Sequence, residues 1–246
     1  MHERHEYRDG TYRLTYTVDG SGPPMLLIHG LSGSRRWWRR NLHALQAHYT
    51  VYVVDLVGFG SARRQRPLGV RESADLIARW MGSLNLTPAA VVGHSMGGHI
   101  SAHLAARHPD RVAALVLVCA SGLLRGDWWR VALHLPRAAL AGKADFLPTI
   151  MFDAARAGLV TLVRATRSLL ADDITDFLAR IQVPTLVVWG ARDALVPLPL
   201  GKALSEGIQG AQFVVFPRAG HVAMVDAAAD FNREVLTFLA AQVPAA

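Results

Sequence analysis

The feature of this sequence that most restricts its fold is an alternation of short apolar runs with amphipathic stretches. Six apolar runs have the length and β-branched content of buried strands: 24–29, 50–56, 89–93, 112–119, 184–189 and 212–216. Helical patterns occupy the stretches at 34–47, 71–85, 97–107, 198–206 and 225–241. Buried strands that alternate with helices predict an α/β fold, with a mostly parallel sheet covered by helices on both faces. Residues 11–18 alternate in polarity and add one strand before these six.

One long stretch interrupts this alternation. Residues 123–180 contain no good strand pattern and instead favour three or four short helices rich in Leu, Ala, Arg and Trp. We interpret them as a helical insertion, or lid, within a core made of 1–122 and 181–246. The chain has 246 residues, of which 51% are hydrophobic, so one large α/β domain can bury a substantial core.

Composition excludes some functions and leaves others open. The formal net charge is +7, and Arg supplies nearly all of the positive charge. No nucleic-acid motif accompanies it, so acidic substrates or an acidic partner are the better candidates. Cys119 is the only cysteine and lies in an apolar run, which predicts a core residue and excludes an intramolecular disulfide. The polar N-terminus and the lack of 18 consecutive apolar residues predict a cytoplasmic protein without an integral membrane segment.

A five-residue motif follows the third apolar run. Residues 93–97 have the form G-x-S-x-G, and a helical pattern begins directly after them. At such a strand-to-helix turn the serine backbone is strained, and the two glycines let neighbouring backbones approach closely. The motif predicts Ser95 as a nucleophile; the alternative is a glycine-rich turn without chemistry.

A nucleophilic serine needs a base, and the base needs an acceptor that orients it. Asp193 follows the strand pattern at 184–189, and His221 follows the pattern at 212–216. Loops at the carboxyl ends of parallel strands share one edge of the sheet, so these two residues are predicted to join Ser95. Three other acids are weaker candidates. Asp55 suits turn hydrogen bonds, whereas Asp226 and Asp230 fall on the predicted final helix and are expected to be solvated.

Two backbone N–H groups are predicted to stabilise an oxyanion. The Met96 N–H lies at the start of a helix, and a glycine-rich loop can bring the Leu31 N–H to the same point. For that loop the alternative is a plain strand-to-helix connection. Three neighbours are predicted to bind the substrate: His29, Gly30 and His94.

Metal chemistry has little support in the sequence. His99 and His103 are four residues apart on a predicted helix, a spacing that can chelate an ion. No H-E-x-x-H motif and no third ligand accompany them, so we expect no metal site and no cofactor.

Together these motifs resemble the α/β-hydrolase superfamily over nearly the whole chain. The matching elements are His29-Gly30, the loop 55–61, residues 93–98, residues 190–193 and Gly220-His221. The resemblance implies an eight-stranded, mostly parallel sheet with a helical lid over the site. The chain is most similar to small bacterial serine esterases, enol-lactonases and carbon–carbon bond hydrolases. Haloalkane dehalogenases and epoxide hydrolases of this type have Asp where this chain has Ser95.

The predicted lid bears on the substrate. Trp128 and Trp129 are predicted substrate contacts and, with several leucines, favour an apolar acyl or aryl group; packing of the lid onto the core is the alternative. Six arginines make this segment basic: Arg125, Arg130, Arg137, Arg156, Arg164 and Arg167. They predict a solvated face, or guidance of a carboxylate-bearing substrate or an acidic carrier protein.

The combined prediction is a serine hydrolase that cleaves a small-molecule carboxylic ester through an acyl-enzyme. Two alternatives stay open. One is hydrolysis of carbon–carbon bonds in ring-fission products or of enol-lactones by the same residues. The other is a small-molecule sensor with slow or no turnover.

Overall fold

The computed structural model describes residues 3–86, 88–126 and 142–242, and eight strands of this part form one sheet. The strands are β1 (Arg4–Asp9), β2 (Tyr12–Asp19), β3 (Pro24–Ile28), β4 (Thr50–Asp55), β5 (Ala89–His94), β6 (Val112–Val118), β7 (Thr185–Gly190) and β8 (Gln212–Phe216). Their order is β1-β2-β4-β3-β5-β6-β7-β8. β2 pairs antiparallel with β1 and β4, and all other pairs are parallel. The predicted eight-stranded, mostly parallel sheet is confirmed.

Helices of the described part separate the consecutive parallel strands, as the sequence pattern predicts, and two more follow β8. They are α1 (Arg39–Gln46), α2 (Val70–Ser83), α3 (Met96–Arg107), α4 (Leu147–Ala157), α5 (Leu159–Ala171), α6 (Thr175–Leu178), α7 (Leu198–Gly207), α8 (Ala223–Asp226) and α9 (Ala228–Gln242). α2 packs against α3, and α1 packs against α9, so the sheet is covered on both faces. The helices show two larger departures from the predictions: a 3-10 turn, Arg35–Trp38, precedes α1, and the last helix is broken at Ala227.

Strand β1 has no counterpart among the strands expected from the residue pattern. Its sequence, RHEYRD, is polar, and its residues alternate between exposed and half-buried. It lies at the edge of the sheet, where one side is unpaired and the side chains need not be apolar. Pairing with β2, and not hydrophobic periodicity, therefore defines this strand.

The central strands of the sheet are almost entirely buried and mostly apolar. Every residue of β5 and β7 is buried, and three tryptophans, Trp38, Trp80 and Trp189, are inaccessible to solvent. Each fully buried aliphatic or aromatic side chain contributes about 1.5–3 kcal/mol of transfer free energy. The loops at the carboxyl edge of the sheet are therefore anchored on a well-packed support. Cys119 is buried in this core.

Helices α4 to α6 lie between β6 and β7, and no strand is present among the described residues of 123–180. α4 and α5 meet at Gly158 with a bend of 96°. The division into a core (1–122 and 181–246) and a lid (123–180) remains a prediction. In the described ranges no single helix is long and apolar enough to cross a membrane, although this bent pair meets the criteria of length and composition.

Candidate active site

Three side chains from separate loops meet at the carboxyl edge of the sheet. Ser95 directly follows β5, Asp193 lies three residues after β7, and His221 lies in the loop after β8. The Nε2 atom of His221 is 2.9 Å from Ser95 Oγ, and its Nδ1 atom is 2.8 Å from Asp193 Oδ2. All three residues are buried, each with 8% of its surface exposed. The structure thus brings together the three residues singled out in the sequence.

The turn that presents Ser95 is strained and tightly packed. Ser95 has φ 53° and ψ −116°, in a region that residues other than glycine seldom adopt. A Cβ atom on Gly97 would lie 2.4 Å from the Ile28 carbonyl oxygen, and one on Gly93 would lie 2.4 Å from the Gly97 oxygen. Gly97 is needed because helix α3 begins against the end of β3, and Gly93 is needed because the first turn of α3 packs back onto it.

The Asp193 carboxylate is held by its own loop. Its Oδ1 atom accepts hydrogen bonds from the N–H groups of Leu195 (2.8 Å) and Val196 (2.9 Å), which leaves Oδ2 for His221. An ionised carboxylate can only accept hydrogen bonds, so His221 Nδ1 carries a proton and Nε2 is the acceptor for the Ser95 hydroxyl. This tautomer is the one that removes a proton from a serine.

The competing acids have other partners. Asp55 accepts hydrogen bonds from the N–H groups of Arg35 (2.7 Å) and Ser61 (2.9 Å), which matches the turn role expected for it. Asp230 pairs with Arg233 at 2.8 Å. Asp226 was expected to be solvated on the last helix, and this expectation is wrong. It lies on the short helix α8 and accepts from the Gly220 and Lys143 N–H groups, both at 2.9 Å, so it braces the His221 loop.

His94 supports the site from behind. Its Nε2–H donates to the His221 carbonyl oxygen at 2.9 Å, and the two rings lie 4.9 Å apart. Burial lowers the pKa of His94 well below its usual value, and the adjacent His221 lowers it further, so His94 is neutral. Its Nδ1 atom has no hydrogen-bond partner among the described residues, and the ring faces the cavity next to Ser95.

The loop after β3 passes directly over Ser95. A Cβ atom on Gly30 would lie 3.0 Å from Ser95 Cβ, so only glycine permits this approach. Next to it, Leu31 lines the same cavity as Ser95, as expected if its N–H is to reach an oxyanion. Met96 opens helix α3, where N–H groups lack intrahelical partners.

His29 has a different position from the one predicted for it. Its Nδ1 atom lies 2.8 Å from the Gly30 carbonyl oxygen, and its Nε2 atom accepts the Leu56 N–H at 3.1 Å. Burial lowers the pKa of His29, so the ring is neutral. With both ring nitrogens occupied and no exposed surface, His29 stabilises the loop from behind the cavity wall. A direct contact between His29 and substrate does not fit this placement.

A cavity of about 350 Å³ opens beside Ser95 and His221. Most of its wall is apolar, and eight of the apolar side chains come from α4 and α5: Leu147, Ile150, Met151, Ala154, Leu159, Leu162, Val163 and Leu169. The predicted contacts Trp128 and Trp129 lie outside the described residues, so their role stays a prediction. Sequence reasoning missed Trp37 and Ser121, which also line the cavity. Ser121 follows the carboxyl end of β6, so the rule that located Asp193 and His221 applies to it as well.

The histidine pair on α3 meets a third residue that the sequence did not indicate. Asp172, which follows α5, places Oδ2 2.9 Å from His99 Nε2 and 2.5 Å from His103 Nε2. Both are distances of direct polar contacts between the carboxylate and the two imidazoles. Partial burial raises the Asp172 pKa, but the two imidazoles lower it below its usual range. The cluster therefore ties the end of α5 to the helix that begins at Ser95.

Comparison with known proteins agrees with this architecture. Residues 23–173 match the model of the alpha/beta hydrolase fold family, and residues 167–245 match that of the TAP-like proteins. A pimeloyl-[acyl-carrier protein] methyl ester esterase of Chromobacterium violaceum is 32% identical, over 91% of this chain and 96% of the relative.

Two further similarities show the breadth of the family. A dihydrolipoyllysine-residue acetyltransferase component of the acetoin cleaving system of Pseudomonas putida is 30% identical, over 89% of this chain and 64% of the relative. The structure of an enol-lactonase from Burkholderia xenovorans superimposes with a TM-score of 0.78 at 24% identity, covering 96% of this chain and 99% of that one. The fold, the family match and the methyl ester esterase relative place this chain in the α/β-hydrolase family. Within this family, the similarity to that methyl ester esterase supports the assignment of this chain as a hydrolase.

Proposed function

We propose that this protein is a carboxylic ester hydrolase that works through an acyl-enzyme on Ser95. The observation that carries the proposal is the hydrogen-bonded chain from Ser95 Oγ through His221 to Asp193, set at the wall of an apolar cavity. Such a chain makes a serine hydroxyl nucleophilic near neutral pH. The ester named for the Chromobacterium violaceum relative supports the same bond type.

In the proposed reaction His221 Nε2 removes the Ser95 proton while the hydroxyl oxygen attacks the ester carbonyl. The N–H groups of Leu31 and Met96 stabilise the negative charge on the carbonyl oxygen. Asp193 keeps His221 in the required tautomer and stabilises the imidazolium. His221 then protonates the leaving alcohol and afterwards activates the water that releases the acid.

The cavity supports an apolar acyl or aryl group in the substrate. Most of its wall is apolar, α4 and α5 contribute eight of the apolar side chains, and the polar groups near Ser95 are few. His94 Nδ1 and Ser121 Oγ are buried and lack hydrogen-bond partners in the described part, so they are the groups that can orient a polar atom of the substrate. We therefore propose esters of medium-length or aromatic acids over short, strongly polar ones.

The test is the Ser95→Ala variant, assayed with p-nitrophenyl esters of increasing chain length. We expect kcat/KM to fall by about 10⁴-fold or more with folding unchanged, and a fluorophosphonate probe should label the wild type but not the variant. Ser73→Ala is the matched control, because Ser73 is equally buried at 8% but lies on α2 away from the site. Near-wild-type turnover by Ser95→Ala would refute the assignment.

The same assay separates the two alternatives. Enol-lactones and vinylogous diketones added to the substrate panel should be turned over more slowly than the best ester; a reversed order would favour the lactone or carbon–carbon reaction. A sensor would show slow single turnover with a stable ligand complex, whereas an esterase shows rapid multiple turnover.

A further inference from the structure

The corner between α4 and α5 exposes large apolar side chains. Four of them form what we call the apolar corner: Met151 (62% exposed), Phe152 (45%), Leu159 (76%) and Val160 (63%). They flank Gly158, where the helices bend by 96° and where an added Cβ atom would meet nothing within 4 Å. Folded chains in water seldom cluster such side chains on a projecting surface without a partner.

The exposed charges of the segment that carries the apolar corner are of one sign. Asp153 is the only acidic residue between positions 146 and 171. It is buried and accepts hydrogen bonds from Ser34 Oγ (2.7 Å) and Trp37 Nε1 (3.2 Å), so it anchors α4 to the core. Arg156 and Arg164, by contrast, are exposed. The surface of this segment therefore offers apolar groups and cations.

Two arginines border the apolar corner directly. The guanidinium of Arg36 lies 4.8 Å from the centre of the Phe152 ring, and that of Arg156 lies 5.1 Å from it. Long arginine side chains next to an aromatic ring can keep their charged ends in water while the ring enters an apolar phase. This combination of an apolar face and a cationic border is typical of segments that lie in the interface of an anionic lipid bilayer.

We propose that the apolar corner inserts into the headgroup region of an anionic bilayer. The shape favours a lipid surface over a protein partner, because a projecting corner of two helices fits a deformable interface better than a rigid one. Two members of the corner, Met151 and Leu159, also line the cavity beside Ser95. Insertion therefore brings the cavity mouth against the bilayer, where apolar esters collect. The surface contact does not depend on ester hydrolysis.

The experiment is co-sedimentation of the full chain with vesicles of equal parts phosphatidylglycerol and phosphatidylcholine. The wild type should bind these vesicles, bind pure phosphatidylcholine much more weakly, and be released as NaCl is raised. Phe152→Ser/Val160→Ser should lower the partition coefficient at least about tenfold. Arg156→Gln/Arg164→Gln should lower it about 25-fold, at about fivefold for each arginine near an anionic surface.

The matched control is Tyr12→Ser/Leu84→Ser, which removes two large side chains, each 38% exposed, away from the corner. This control should partition as the wild type does. The proposal is overturned if the wild type does not bind the anionic vesicles, even if it binds an acidic protein instead. It is also overturned if pure phosphatidylcholine binds equally well, or if control and corner variants lose binding alike. Hydrolysis of soluble p-nitrophenyl butyrate by the Phe152/Val160 variant tests the esterase proposal separately.

Discussion

Asp193→Asn is the most informative single change. It keeps the shape of the side chain but replaces one acceptor oxygen with a donor NH₂ group. In the wild type Oδ1 accepts two backbone N–H bonds, at 2.8 and 2.9 Å, while Oδ2 accepts from His221 at 2.8 Å. In the variant the amide oxygen can keep the two backbone bonds. The amide nitrogen, a donor, then faces His221 Nδ1, so the ring must present a lone pair there and carry its proton on Nε2.

That tautomer cannot accept the Ser95 proton. With a histidine of the wrong tautomer 2.9 Å from Ser95 Oγ, the chain loses its general base while the remaining geometry stays intact. Loss of this kind typically costs about 10⁴-fold in kcat, or about 5.5 kcal/mol of transition-state stabilisation. KM should change little, since the cavity wall formed by α4 and α5 is untouched.

The assay is steady-state hydrolysis of p-nitrophenyl butyrate, with thermal unfolding measured on the same samples. Asp75→Asn is the matched control, because Asp75 Oδ1 also pairs with a histidine, His108 Nε2 at 2.8 Å, but lies on α2 away from the site. We expect less than about a tenfold loss there. If Asp193→Asn keeps more than about a tenth of the wild-type kcat, the orienting role of Asp193 is refuted. A 10⁴-fold loss in Asp55→Asn with intact folding would instead identify Asp55 as the acid.

Two further predictions concern stability. Gly97→Ala should lower the free energy of unfolding by at least about 2 kcal/mol, because its Cβ would lie 2.4 Å from the Ile28 carbonyl oxygen. Gly82→Ala is the control, because its Cβ would meet only the flexible Arg111 side chain, at 3.1 Å. Chemical denaturation should show this control to be neutral or stabilising. Burial lowers the pKa of His94, and it also lowers the pKa of His103 although Asp172 raises it in part. Below about pH 6.5 the unfolded chain therefore binds protons at these histidines that the folded chain does not bind. The melting temperature should therefore fall between about pH 6.5 and pH 5, and a flat or rising profile over that window would contradict this linkage.

The central strands were predictable because burial on both faces leaves a local signature. The runs at 112–119 and 212–216 differ from β6 and β8 by one residue at most. Strand β1 left no such signature, because an edge strand of sequence RHEYRD needs only backbone pairing with β2. The polarity of a segment does not reveal whether another strand lies beside it.

The residues of the candidate site also divide into those that local sequence could predict and those that it could not. Ser95, Asp193 and His221 could be chosen from sequence because each follows a recognisable strand in the expected order, and the parallel topology brings those strand ends to one edge. Asp172 could not be chosen, because its proximity to His99 and His103 depends on how the segment after α5 returns to α3. Asp226 was misjudged for the same reason, since its partners lie in other loops.

The sequence by itself determined the sheet, the strained turn at Ser95 and the order of the reacting groups, since each rests on neighbours within about ten residues along the chain. Only the tertiary structure decided what surrounds them. It set His29 behind the cavity wall, made α4 and α5 the wall, and left the apolar corner exposed. Those outcomes depend on contacts between segments far apart in sequence, and the apolar patterns of α4 and α5 do not tell which face turns inward.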